Sequence, residues 1–191
     1  MKTIYYTASS LDGFLADENH SLEWLLQFGE LESMKDHYPR FLGKVGAVAM
    51  GASTYRWLLD HERMLEDPSR WPYAMPTWVF SHRDLPSIPG ADLRFVQGDV
   101  AAVHADMVRA AAGGDVWLCG GGDLIGQFHD AGLLDEIVVT FAPVTLGKGA
   151  PFLPRRIETP ALRLVGVEKH GDVYAVLTYA VDTVPRVQPT L

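Results

Sequence analysis

Cysteine is almost missing from this chain, and so are net positive charge, long apolar runs and linker-like composition. With Cys119 alone, neither an intramolecular disulfide nor a thiolate zinc site can form, and a reducing compartment suits the protein. Sixteen basic against 24 acidic side chains give a net charge of -8, which argues against a protein that tracks nucleic acid by neutralising its phosphates. No apolar run reaches membrane-spanning length, and the opening TIYYT turns polar by Ser9, too early for the hydrophobic segment of a secretory signal. A cytoplasmic protein is expected. No Pro/Gly/Ser-rich linker, internal repeat or low-complexity tract divides the chain, so a single domain over residues 1–191 is expected, with a tail from about residue 183 that frays or covers a partner. The histidines show no HExxH or other ligand spacing, and Gly-x-Ser-x-Gly is absent, so neither a metal nor serine hydrolase chemistry is expected.

What is present is globular composition, 48% apolar and 21% charged. TIYYTAS reads as a strand that ends at the Asp12-Gly13 turn pair. The stretch SLEWLLQFGELESMKDHYPRFLGK has helical period, with Leu25, Phe28, Leu31 and Met34 able to share a face and Gly29 and Pro39 interrupting it. Strands then alternate with helices: VGAVAMG, ASTYRWLLDHERML, TWVFSHR, LRFVQG, DVAAVHADMVRAAAGG, DVWLCGGG, DLIGQFHDAG and LLDEIVVTFAP. Asp99 is a candidate N-cap, Gly113 a helix stop and Gly171 the turn of a final hairpin. This order predicts a mainly parallel sheet with antiparallel strands at one end.

Three sites carry chemistry. In WLCGGGDLIGQF, Gly120, Gly121 and Gly122 lie between a strand and a helix, where bare backbone lets an anion approach unpaired N–H groups and the positive end of the helix dipole. Their spacing to Gly126 misses GxGxxG by one residue, and a crowded strand-to-helix crossing would need the same glycines. In AMGASTY, Gly51 and Thr54 offer a second such turn, or simply a helix start. In VFSHR, Ser81 and Arg83 could hold a phosphate, or be solvated at a strand end.

Taken in order, SLDGFLAD, VAMGASTY, VFSHR, the block from Cys119 to Leu153 and the last hairpin resemble the dihydrofolate reductase-like superfamily. More closely the chain is similar to the reductase family related to the C-terminal half of the bifunctional riboflavin-biosynthesis deaminase-reductase. The resemblance implies a three-layer α/β fold, an eight-stranded mostly parallel sheet with helices on both faces and an antiparallel C-terminal hairpin. It implies NADPH as cofactor and a hydride delivered to a small heterocyclic or sugar-derived metabolite, such as 5-amino-6-(5-phosphoribosylamino)uracil. By the same resemblance, Gly51 and Thr54 contact the cofactor's diphosphate and nicotinamide side, and Gly120, Gly121, Gly122, Asp123, Leu124 and Ile125 form the glycine turn and helix start beneath the diphosphate. Ser81 and Arg83 take the 2'-phosphate, and the backbone of Ala8 takes the nicotinamide carboxamide. A homodimer is implied too, with the apolar strand IVVTFAP offered as interface.

Asp12 matches the acid of the family's S-L-D-G motif and is the candidate catalytic residue, with a pKa raised beside an apolar ring. As an Asp-Gly turn residue it could equally only stabilise a loop. Trp24, Leu25, Met34, Phe141 and Lys148 are candidate substrate contacts. The chain departs from the riboflavin pattern: the acid-acid-proline run after the second strand is not matched, and the zinc deaminase half is missing. For a dihydrofolate reductase, Glu30, Glu32 and Asp36 are the available pterin-anchoring acids, none in a matching motif. The alternatives are a reductase of another substrate and a dinucleotide-binding sensor without turnover.

Overall fold

The computed structural model describes residues 1–29 and 31–182, so Glu30 and the tail from residue 183 lie outside the described residues. In chain order the elements are β1 (Thr3–Ser10), β2 (Phe14–Ala16), α1 (Glu23–Leu26), α2 (His37–Leu42), β3 (Val45–Gly51), α3 (Ala52–His61), β4 (Thr77–Phe80) and β5 (Leu93–Val96). They continue with α4 (Val100–Ala110), β6 (Asp115–Gly120), α5 (Gly122–Asp130), β7 (Glu136–Ala142), β8 (Ala150–Pro151), β9 (Arg163–His170) and β10 (Tyr174–Ala180).

Eight strands form one sheet in the order β5-β4-β3-β6-β1-β7-β10-β9. All neighbours from β5 to β7 are parallel; β10 runs antiparallel to both β7 and β9. The central strands read as unbroken apolar runs because both faces are covered. On one face α4 and α5 bury Met107, Ile125 and Phe128 against Tyr5, Leu118 and Ile137. On the other, α3 buries Tyr55 and Leu59 against Met50, Val79 and Trp117. The final hairpin turns at Gly171 (φ 58), and Asp99 caps α4 by accepting from Ala101 N–H at 2.9 Å.

Two expectations change. The helical stretch 21–44 is broken into α1, a 3-10 turn at Glu32–Met34 and α2, with Gly29 (φ 57) at the break. Leu25, Phe28, Leu31 and Met34 still share one cluster with Trp24, Ala142 and Tyr174, by chain path and not by helical period. Pro39 does not interrupt α2; it is in the first turn, where its missing N–H has no intrahelical partner to lose. The strand of IVVTFAP, β7, lies inside the sheet, paired with β1 and β10. A two-stranded ladder, β2 with β8, went unforeseen because segments this short carry no period.

Gly46 on β3 shows how tightly one helix covers the sheet. A Cβ there would sit 2.1 Å from the carbonyl oxygen of Ala111, just past α4, whereas at Gly43 the nearest atom would be 3.4 Å away. Gly46→Ala is therefore expected to cost about 1–3 kcal/mol by overpacking. Gly43→Ala should stay within about 0.5 kcal/mol, and paired urea unfolding curves check both.

Candidate functional site

β3 and β6 are neighbours, yet α3 leaves β3 toward one face and α5 leaves β6 toward the other. That divergence opens a crevice at the carboxyl edge of the sheet, the place where open α/β sheets bind ligands. Both helices begin at a glycine in extended conformation, Gly51 (φ -83, ψ 166) and Gly121 (φ -85, ψ 178), and neither has a side-chain cap. A Cβ on Gly51 would lie 3.7 Å from Gly120 O and Gly121 N, so the two turns are in contact. Uncapped N–H groups and two dipole ends thus converge on one spot, which favours an anion.

The three glycines do different things. Gly120 holds φ 146, a conformation that glycine tolerates, beside Thr54 Oγ1, and its bond to Gly121 is cis. Gly122 is a packing residue: a Cβ would meet Pro151 O at 2.3 Å and Phe152 O at 2.7 Å. Only Gly121 faces open space, with nothing within 4 Å of a Cβ. The N–H groups of Leu124 and Ile125 are already donated to Gly121 O, at 3.0 and 3.2 Å, and the Ile125 side chain is buried in the core. Among the described residues, that leaves the N–H groups of Gly122 and Asp123 as free donors of the turn; the Asp123 carboxylate points to solvent, 3.9 Å from Arg155.

Two cavities flank the turn along the sheet edge. Toward β4 and β5 lies one of about 140 Å³, bounded by Gly51, Ser81, His82, Gln97, Leu124 and Gln127. The Ser81 hydroxyl accepts from Arg83 N–H at 3.0 Å and donates to Arg83 O at 2.8 Å, so it shapes the turn that carries Arg83. Arg83 is exposed and, among the described residues, makes no ion pair. His82, Gln97 and Gln127 were missed by sequence reasoning, since lone polar residues in turns carry no motif.

Toward β1 and β7 lies a cavity of about 490 Å³. Its floor is Tyr6, Ala8, Trp117, Cys119, Thr140 and Tyr174, and the α1 segment covers it with Leu25, Leu26, Gly29 and Met34. No described lining residue carries a charge. Burial pushes the Cys119 thiol up to about 12, so it is protonated at neutral pH. Burial likewise raises Tyr6, whose hydroxyl shares a 2.8 Å hydrogen bond with His37 Nδ1.

Ala8 lines this cavity; several other candidates do not. Trp24 is buried in a cluster with Ala142 and Tyr174, and its neighbours Leu25 and Leu26 form the wall. Phe141 points to the opposite face, packing toward α4 and α5, because strand alternation gives the cavity Thr140. Lys148 is exposed and pairs with Glu18. Glu32 and Asp36 are exposed. Asp12 is corrected in its electrostatics: its carboxylate accepts from Ser10 Oγ at 2.6 Å, Gly147 N–H at 2.7 Å and Leu146 N–H at 3.1 Å. The Ser10 hydroxyl first, then these main-chain donors, hold its pKa below the ordinary carboxylate value instead of raising it.

Comparison with known proteins agrees with this architecture. The RibD C-terminal domain family matches residues 1–176. The uncharacterized protein YwjB of Bacillus subtilis (strain 168) is 31% identical over 171 residues, 89% of this chain and 92% of its own. A crystal structure from Shewanella sp. PV-4, provisionally named for riboflavin biosynthesis, superposes with TM-score 0.77 at 26% identity, covering 94% of this chain and 98% of that one. Dihydrofolate reductase from Enterococcus faecalis, complexed with NADP(H), has TM-score 0.61 at 14% identity, over 94% of this chain and 95% of its own, which makes the fold dihydrofolate reductase-like. No helix among the described residues is long and apolar enough to cross a membrane.

Asp12 ties the turn after β1 to the 146–147 loop, and its depressed pKa gives a signed pH effect. Its contribution to stability should be complete above the ordinary value of about 3.9 and disappear as pH falls through the lowered one. The stability gap between wild type and Asp12→Asn, measured by urea unfolding from about pH 6 to pH 2, should close on acidification.

Proposed function

The chain belongs to the RibD C-terminal domain family, and from that premise we propose that it is an NADPH-dependent reductase of a small, flat, uncharged substrate. The observation that carries the reading is the pair of uncapped helix N-termini meeting at Gly51 and Gly121, with open space over Gly121. The residues fit a dinucleotide. The N–H groups of Gly122 and Asp123, with Thr54 alongside, would hold the diphosphate. The Ser81-to-Arg83 turn, at the mouth of the smaller cavity, would hold the 2'-phosphate, and Ala8 would present main chain to the carboxamide.

When bound, the nicotinamide supplies a hydride; the protein's contribution is placement and exclusion of water. Tyr6 and Trp117 give the larger cavity aromatic walls suited to a planar ring. Its hydroxyls and thiol are neutral donors, and Tyr6 Oη, backed by His37, is the best placed to hold a proton for the substrate. A phosphate dianion buried there would meet no cation among the described lining residues, a situation that costs several kcal/mol. This favours an uncharged heterocycle over a phosphoribosyl aminouracil. Asp12, exposed and clamped to its loop, acts as a positioning residue.

NADPH fluorescence on addition of the protein, followed by oxidation of bound NADPH by a panel of neutral and phosphorylated heterocycles, tests the assignment. Binding without any turnover would reduce it to a dinucleotide-binding protein. Gly121→Val should fold normally, since a side chain there meets nothing in the protein, while NADPH affinity drops by at least about tenfold. Unchanged affinity would remove the glycine turn from the site. Arg83→Ala should weaken NADPH more than NADH, because only the former has the extra phosphate to lose. Equal losses would overturn the coenzyme preference.

A further inference from the structure

We propose that His37, Glu168 and His170 bind one divalent transition-metal ion of the zinc class, at a site separate from the dinucleotide crevice. The three side chains lie on α2 and β9, and their ligand atoms fall within 4.8 Å of one another. They are invisible as a linear motif. Alternation along β9 points residues i and i+2 to the same face, which presents Glu168 and His170 together to the loop and helix that carry Ser33 and His37.

His170 carries the inference. It is 7% exposed, and its Nδ1 lies 2.7 Å from the carbonyl oxygen of Ser33. A carbonyl only accepts, so Nδ1 bears a proton, and in the neutral ring Nε2 keeps its lone pair. That Nε2 is buried without a hydrogen-bond partner, 3.5 Å from a Glu168 carboxylate oxygen. A lone pair facing a carboxylate is repulsive unless something positive sits between them. The separation is close to the edge of about 3.3–3.4 Å for a tetrahedron with metal bonds of about 2.0–2.1 Å.

His37 completes the set. Its ring is T-shaped to that of His170, with centroids 5.2 Å apart, and its Nδ1 is engaged by the Tyr6 hydroxyl, which leaves Nε2 as its free nitrogen. Each imidazole has its other nitrogen fixed by a protein oxygen, as metal-binding histidines do. Glu168 is half exposed and free to swing inward. Two imidazoles and a carboxylate suit zinc and leave a fourth position for water.

The test needs no nicotinamide. Chelator-treated full-length protein titrated with zinc chloride in a calorimeter should bind one ion per chain with saturable heat. Glu168→Gln and His170→Gln should each weaken binding by at least about tenfold, and His20→Gln should not. Absence of saturable heat in the wild type, or undiminished affinity in Glu168→Gln, would overturn the proposal and leave a proton as the cation between the two groups. Should His170→Gln fail to fold, the exposed Glu168 position decides the matter.

Discussion

Two adjacent parallel strands, β3 and β6, send their helices to opposite faces of the sheet, and everything functional follows from that divergence. Neither helix N-terminus can be covered by the other's body, so their unpaired N–H groups and dipole ends stay at the sheet edge. Glycine at both caps keeps side chains out of the gap. Distance along the edge then separates the two cavities, one over β4 and β5 and the other over β1 and β7. A ligand spanning them would cross the turn in its middle.

The mainly parallel sheet with its antiparallel end could be read in advance because buried strands such as VGAVAMG and DVWLCG announce themselves as short apolar runs, and because Asp99 and Gly171 are local signals. The glycine turn was equally visible as composition. What each glycine does was not. Gly122 is small because the 151–152 backbone presses on it, and Gly121 is bare because nothing does. Both facts depend on residues thirty positions away.

The same limit explains Asp12 and Phe141. Asp-Gly marks a turn, but the partners that set the charge of Asp12 come from the 146–147 loop, so the direction of its pKa shift could not be read from the turn itself. Phe141 and Thr140 differ by one step of a period-2 strand, and only the register of β7 against β1 says which of them faces the cavity. His37 and His170 are further apart still in sequence, and they meet because the end of the edge strand β9 lies against the segment that carries Ser33 and His37.

Charge shows how selectivity is divided. The chain carries a net charge of -8, so its overall field repels an anionic dinucleotide. If the proposed dinucleotide site holds, its attraction comes from short range, from main-chain donors and from the guanidinium on the Ser81 turn, and solvent screening beyond about 8–10 Å lets such local terms decide. The larger cavity has no comparable device: hydroxyls, a neutral thiol and apolar walls discriminate by shape and desolvation. On this reading the anionic parts of the reaction are held at the glycine turn and beyond it, and the ring that accepts hydride is selected at the other end for carrying no charge at all.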